Sequence, residues 1–503
     1  MARYKHSDVE NGQGLFLTVN LKEQLLPGSF EYMLNDLIGK EIDVSMFDAN
    51  YKNQATGAPA IPPTVLIKLI IYGYRQGIKS SRKIMKLSQE NITAKALTGD
   101  MAIHWTTIAD FVSFNSELFA KVFVKVLMYC GELKLVGGAE AAVDGRRMSS
   151  NASMDMSGTK QELEKRHEAY QRMARKHVAK HLRRDARGES DAEEQKRYEK
   201  RQKHLQRQIE KIGDFLEEME RKEGKSAEEV KSNVTDNESA MIYSSKGFLQ
   251  GYIGIAVADK KHQVIVTAQA VGSANEGEHL PELVDKTLSN MKEAEVQVPE
   301  GEKLVVMGDA NYFSEDNLKA CQERGVEAVI PDSQFGRRLG KDNERRFEAG
   351  DFTYHEGGDY YECPNGKRLE FKRTVILGGQ EGRNYQASAH DCGACAEKER
   401  CLRCKKDKGL YDRGRQLLIT KSNEEGSQCA QMRKKLSTEE YQDKYANRIQ
   451  IIEPVFANIT YCKGMDRFTL RGKAKVNGQW NLYCIVHNLG KCLDAYNEKR
   501  KSA

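Results

Sequence analysis

A charge-dense tract near the middle of the chain limits the available folds more than any other feature. Between residues 160 and 225, Tyr198, Leu205, Ile209, Ile212, Leu216 and Met219 recur with a seven-residue period. Such a seam is stable only when a second helix covers it. An earlier arm carries Leu163, Tyr170, Met173, Val178 and Leu182 more loosely, and the turn-forming "ARGESD" separates the two. The spacing predicts two antiparallel helices over residues 160–232, a structural or dimerising hairpin; a basic arm clamping DNA is the functional alternative.

Upstream, residues 1–130 are helical in character. "PPTVLIKLIIYGYRQG" opens on a proline pair suited to a first helical turn and is apolar all round, which predicts burial within a compact bundle of its own. Lys79, Arg82, Lys83 and Lys86 share one helix face, either a DNA-binding surface or a solvated one.

β character appears on both sides of the tract. The run "KLVGGAEAAV" predicts a buried strand from whose end Asp144 emerges. A turn aspartate bonded to its own backbone is the local alternative. "GYIGIAVADKKHQVIVTAQAVG" reads as two strands around a polar turn, and "KLVVMGDANYFSEDNLKACQERG" as a strand, Asp309, and a helix capped by Ser314. Glu453 stands in an apolar helical stretch just before Pro454, which predicts a kink, or a helix starting at Pro454 with Glu453 as its cap. His279 in "ANEGEHLPEL" reads as a surface or helix-start histidine.

The 503 residues, 39% hydrophobic and 30% charged with a formal net charge of +6, suit a composite globular protein with a mildly basic surface. No signal-like start and no run of roughly 18 apolar residues are found, so a cytoplasmic location without a membrane partner is expected. The motifs of P-loop ATPases, zinc proteases and serine hydrolases are absent.

Asp144, Asp309 and Glu453 are acids on two strand ends and one helix, spread over most of the chain. Two-metal phosphoryl transfer needs such an inventory, because carboxylates hold Mg²⁺ ions that act on the attacking and leaving oxygens. With these three segments, "AAVDGRRMSSNAS", "VVMGDANYFSEDNL" and "RIQIIEPVFANI", the chain resembles a DDE transposase of a bacterial insertion sequence. "PPTVLIKLIIYGYRQGIKSSRKI" and "TTIADF" extend the resemblance to the N-terminal helical domain that recognises DNA ends in that family.

The resemblance implies an α/β fold: an RNase H-like mixed sheet flanked by helices, over residues 131–159, 233–334 and 436–503. It also implies Mg²⁺- or Mn²⁺-dependent cleavage at transposon ends and strand transfer into target DNA, by a homodimer on DNA in the bacterial cytoplasm at the nucleoid. By the same resemblance, Asp144, Asp309 and Glu453 are the metal-binding triad, and Tyr445, Arg448 and Lys463 contact DNA. Arg448 is five residues before Glu453 where the family pattern has four, and Thr460 occupies the usual Lys position, with Lys463 one turn further on. Arg146 and Arg147 stand beside Asp144, positioned to meet a phosphate. The competing readings are a two-metal nuclease or phosphatase without strand transfer, and an inactive nucleic-acid-binding protein.

Five of the eleven cysteines fall between residues 363 and 404. Cys392-x2-Cys395 and Cys401-x2-Cys404 are paired knuckles, and with Cys363 they predict a structural Zn²⁺ site using Cys401 or Cys404 as the fourth ligand, within a small Cys-rich insertion over residues 335–435. Cys130, Cys321, Cys429, Cys462, Cys484 and Cys492 read as buried small apolar groups.

Overall fold

The computed structural model describes residues 20–51, 59–188, 191–220, 222, 229–244, 247–339, 347–377, 380–402, 414–420, 424 and 426–502. Its centre is a six-stranded mixed sheet built from β1 (Glu140–Ser149), β2 (Ala240–Ser244), β3 (Gly247–Asp259), β4 (Ile265–Val271), β5 (Val305–Met307) and β6 (Glu327–Val329). β1 lies between β3, its antiparallel partner, and β5, its parallel partner, and β6 continues the parallel side. β2 and β4 pair antiparallel with successive halves of β3. From Gln250 onward every residue of β3 is buried, as expected for an apolar strand covered on both faces.

The principal helices are α1 (Phe30–Leu37), α2 (Pro63–Arg75) and α3 (Leu118–Glu132) from the N-terminal region, then α4 (Lys160–Asp185) and α5 (Ala192–Glu218), α6 (Leu280–Glu293), α7 (Glu315–Glu323), α8 (Glu439–Ala457) and α9 (Lys473–Ser502), and α6, α8 and α9 supply that cover. α8 lies on β1 and β3, while α6 and α9 lie on β4. β4 is an edge strand, and α9 occupies its unpaired backbone groups with side-chain amides. Asn477 accepts from the Ala270 N–H at 2.9 Å, and Asn488 both accepts from and donates to Ile265.

The N-terminal helices do not close a core of their own, contrary to the sequence expectation. α1, α2 and α3 pack on α9, and their apolar residues belong to the same continuous core as the sheet. The reason is the all-round apolarity of α2, which needs cover on more faces than its neighbours provide. Lys79 on the basic face is already engaged, donating to the Gly464 carbonyl and pairing with Asp466. α4 and α5 pack antiparallel, with Leu163, Ala174, Leu205 and Ile212 buried in their seam.

At the middle of the main core Trp480 is fully buried, with Phe456, Phe468 and Tyr483 around it and its Nε1 donating to the Ile255 carbonyl at 2.8 Å. Gly254 faces the indole so closely that a Cβ there would stand 2.9 Å from the ring. Trp480→Ala is expected to cost about 3–5 kcal/mol, read from the shift of the denaturant midpoint.

A second sheet stands apart from the first. β7 (Thr353–His355), β8 (Tyr360–Glu362), β9 (Arg368–Leu377), β10 (Gln380–Ala387) and β11 (Gln416–Thr420) form a five-stranded antiparallel meander with a small core of its own. Of the six cysteines read as buried apolar groups, Cys462 is exposed and the other five are buried. Cys462 ends the π-helical turn at residues 458–462, where its thiol faces outward. No helix among the described residues is long and apolar enough to cross a membrane.

Candidate active site

Parallel pairing of β1 with β5 ends at Ala142 and Met307. Two residues further along, Asp144 on β1 and Asp309 just past the end of β5 follow, so the register itself sets the two carboxylates side by side. Asp144 is not at a strand end, as its sequence suggested: β1 runs on to Ser149 because β3 continues to pair with it, Asp144 lying opposite Ala256. What ends at this level is only the parallel neighbour, and that opens space for Asp309 as the N-cap of a 3₁₀ turn, accepting from the Asn311 N–H at 3.0 Å.

A third carboxylate fills that space from an unexpected place. Glu276, in the connection between β4 and α6, is buried and brings an oxygen within 4.8 Å of ligand oxygens on both Asp144 and Asp309. Among the described residues this is the one group of three potential metal-ligating side chains at such spacing. Asn311 Nδ2 bridges Asp309 and Glu276 at 3.0 and 3.1 Å, leaving Glu276 Oε2 without a partner. The Tyr312 hydroxyl is also buried and unpartnered, with Glu276, Asp144 and Asp309 as its charged surroundings.

Burial pushes the Asp144 carboxyl up to about 6; Arg448 and the Gly145 N–H oppose this, while Asp309 and Glu453 reinforce it. Glu276 is pushed up to about 7, again by burial first and then by Asp144 and Asp309. Desolvated carboxylates this close repel one another and favour a cation among them. All the donors are hard oxygens, the set that suits Mg²⁺ or Mn²⁺.

No periodic pattern marks Glu276; the one available cue was an acid in a loop after a buried strand, in the same "ANEGEHLPEL" that drew attention to His279. Gly145 explains how Glu276 fits. A Cβ at Gly145 would lie 1.6 Å from Glu276 Oε2 and 2.6 Å from Ile253 Cγ2, so the residue after Asp144 must lack a side chain.

α8 brings the remaining predicted residues. Arg448 is buried and its Nη2 donates to Asp144 Oδ2 at 2.8 Å, while its Nε has no partner. Tyr445, half-buried, meets Phe335 edge-on at 5.5 Å and lies near enough to Arg448, Asp309 and Asp144 for their charges to act on it. Glu453 is exposed and outside the 4.8 Å group, although its charge reaches Asp144. It is not a helix cap: α8 runs through Pro454 to Ala457. Proline cannot supply the N–H that the Gln450 carbonyl expects, and the Gln263 side chain donates to that carbonyl instead at 3.0 Å.

Arg146 and Arg147 diverge. Arg146 donates to the Tyr461 hydroxyl at 3.3 Å, and Arg147 to the Tyr243 carbonyl at 2.9 Å. Tyr461, Tyr243 and Phe248 are exposed. Lys463 is not presented to solvent: it is buried, hydrogen-bonded to Asn458, and lowered to about 8 chiefly by burial. The π-helical turn over Asn458–Cys462 swings it inward, so it does not replace a phosphate-facing lysine in this arrangement.

Next to it, His487 donates from Nε2 to the Gln263 carbonyl at 2.9 Å, and burial lowers it to about 3. The unfolded chain takes up this proton near pH 6.5 and the folded chain does not until about pH 3, so stability falls as pH drops through that window. The expected slope is about 1.4 kcal/mol per pH unit. Unfolding curves for the parent and His487→Gln check this, since the variant should lose that share of the acid sensitivity; equal slopes would refute it.

Residues 362–493 match the family described as Transposase DDE domain, and residues 19–113 match the Transposase domain DUF772. These matches support a DDE transposase of the insertion-sequence type. The DDE domain match supports an enzyme, and the group of Asp144, Glu276 and Asp309 is consistent with a DDE catalytic site. The first match takes in α8 with Glu453 and most of α9; the second covers the N-terminal helices through most of the segment before α3. No curated protein matches the chain.

Proposed function

We propose that the transposase cleaves DNA at transposon ends and joins the exposed 3′ hydroxyl to target DNA, in a Mg²⁺- or Mn²⁺-dependent reaction. The observation that carries this reading is the convergence of Asp144, Asp309 and Glu276 around an unpartnered buried oxygen. Asp144, Asp309 and Glu276 hold the metal, with Glu453 completing the site from α8. Divalent ions bound there supply activation of the attacking oxygen and charge stabilisation at the leaving oxygen.

Arg448 neutralises Asp144 in the free protein and has donors to spare for a phosphate entering the site. Arg146 and Arg147, with the exposed Tyr461, Tyr243 and Phe248, supply charge and ring faces along the approach, which suits DNA on that side. The mixed sheet, with Asp144 on β1 and Asp309 just past the end of its parallel neighbour β5, supports an RNase H-like core. Joining two ends calls for two copies of the chain, hence a homodimer on DNA.

The test is a duplex carrying the element's own terminal sequence, incubated with a supercoiled target and Mg²⁺. Joined products support the proposal. Cleavage without joining favours a two-metal nuclease, and binding without either reaction favours an inactive binder.

A further inference from the structure

The second sheet is poorly supplied with a core: Phe352, Leu369, Tyr385, Ala387, Leu417 and Ile419 are its buried apolar residues. A unit of this size with so little apolar burial needs a covalent or metal staple to hold one arrangement. At the edge of this core a single pocket is lined by Cys363, Cys392, Cys395 and Cys401, with Leu369 and Ala387 between the pocket and the core.

Three of the four sulfurs already accept N–H donors. The "CPNGK" turn, with Gly366 at φ +70°, brings the Lys367 N–H back onto Cys363 Sγ at 3.3 Å. The Arg415 N–H reaches Cys392 Sγ at 3.3 Å, and Asn365 Nδ2 reaches Cys395 Sγ at 3.4 Å. Cys363 comes from the β8–β9 turn, Cys392 and Cys401 from two short helical segments after β10 and Cys395 from the link between them, so a shared ligand would tie distant parts of the unit together.

We propose that Cys363, Cys392, Cys395 and Cys401 bind one zinc ion that fixes the second sheet in place. Four sulfur donors with no open position suit a structural zinc site and disfavour Mg²⁺ or Ca²⁺. The four sulfurs line the pocket without three of them meeting within 4.8 Å, so binding draws them inward and releases the thiol protons. This inference is independent of the reading of the acid site.

The test uses the full chain, purified without chelators and without a polyhistidine tag. Elemental analysis should find about one zinc per chain, released when the thiols are titrated with a mercurial. Cys363→Ser and Cys392→Ser should each lower the zinc content at least about tenfold, whereas Cys321→Ser, distant in the main core, should retain it. Cys404, outside the described residues, should also be dispensable. If the serine variants fail to fold, cobalt added to the metal-depleted parent should give the thiolate charge-transfer and d–d bands of tetrahedral sulfur coordination. A parent chain without bound metal and without cobalt bands would overturn the proposal. So would iron with a cluster spectrum, or disulfides among these cysteines. Zinc lost in Cys404→Ser but kept in Cys401→Ser would overturn the assignment of Cys401.

Discussion

Asp144→Asn is expected to abolish end cleavage and joining, by roughly 10³-fold or more, because a carboxylate that holds a divalent ion supplies several kcal/mol of transition-state stabilisation. The variant should also lose fold stability. Arg448 is buried, and Asp144 is the partner of its Nη2 at 2.8 Å. Taking the charge from that hydrogen bond costs on the order of 1–3 kcal/mol, since the other acids of the group still offset part of the cation. Asp309→Asn, which breaks no ion pair with Arg448, should match the loss of activity with a smaller shift of the melting temperature. Activity of Asp144→Asn within tenfold of the parent would remove Asp144 from the chemistry. Glu276→Gln and Glu453→Gln, compared for Mn²⁺ binding by electron paramagnetic resonance, tell which of the two completes the site: the geometry predicts the larger loss for Glu276→Gln.

Gly145→Ala should be nearly as damaging to activity although it adds one methyl group. The new Cβ would stand 1.6 Å from Glu276 Oε2 and 2.6 Å from Ile253 Cγ2. Ile253 is fully buried in β3 and has nowhere to retreat. Glu276 therefore moves, and the acid group loses its third member. Overpacking of this kind costs about 1–3 kcal/mol of stability, and Mn²⁺ affinity should fall at least about tenfold if Glu276 supplies a ligand. Gly145→Ala combined with Glu276→Asp, one methylene shorter, should recover part of the binding. Full activity in Gly145→Ala would show that Glu276 has no fixed place in the reaction.

Much of this architecture was legible in the residues. The heptad spacing from Tyr198 to Met219 announces a helix, and residues 192–218 form one; the Ser314 cap and the apolar run before Asp309 likewise appear where their patterns put them. These are local signals, because the period of a helix or strand and the chemistry of a cap are written within a few residues. Where several local patterns shared one surface, the sequence was less informative. α2 showed that it was buried and not what buried it, so a separate N-terminal core was expected where a continuous one exists.

The candidate site divides the same way. Asp144 and Asp309 were recognisable because each ends or interrupts an apolar strand, and Arg448 through the family resemblance. Glu276 carries no such mark. Its burial results from β4, α6 and the missing side chain of Gly145 coming together, which no window of sequence contains. Lys463 fails in the opposite sense: the family resemblance implied a DNA contact, but at the end of one π-helical turn the side chain is buried.

The sequence by itself determined which segments become helices and strands, and which acids stand at the ends of apolar runs, because periodicity and capping act over a few residues. The tertiary structure decided which carboxylates share a site, since the β1–β5 register sets Asp144 level with Asp309 and only long-range packing can press Glu276 into the space beside Gly145.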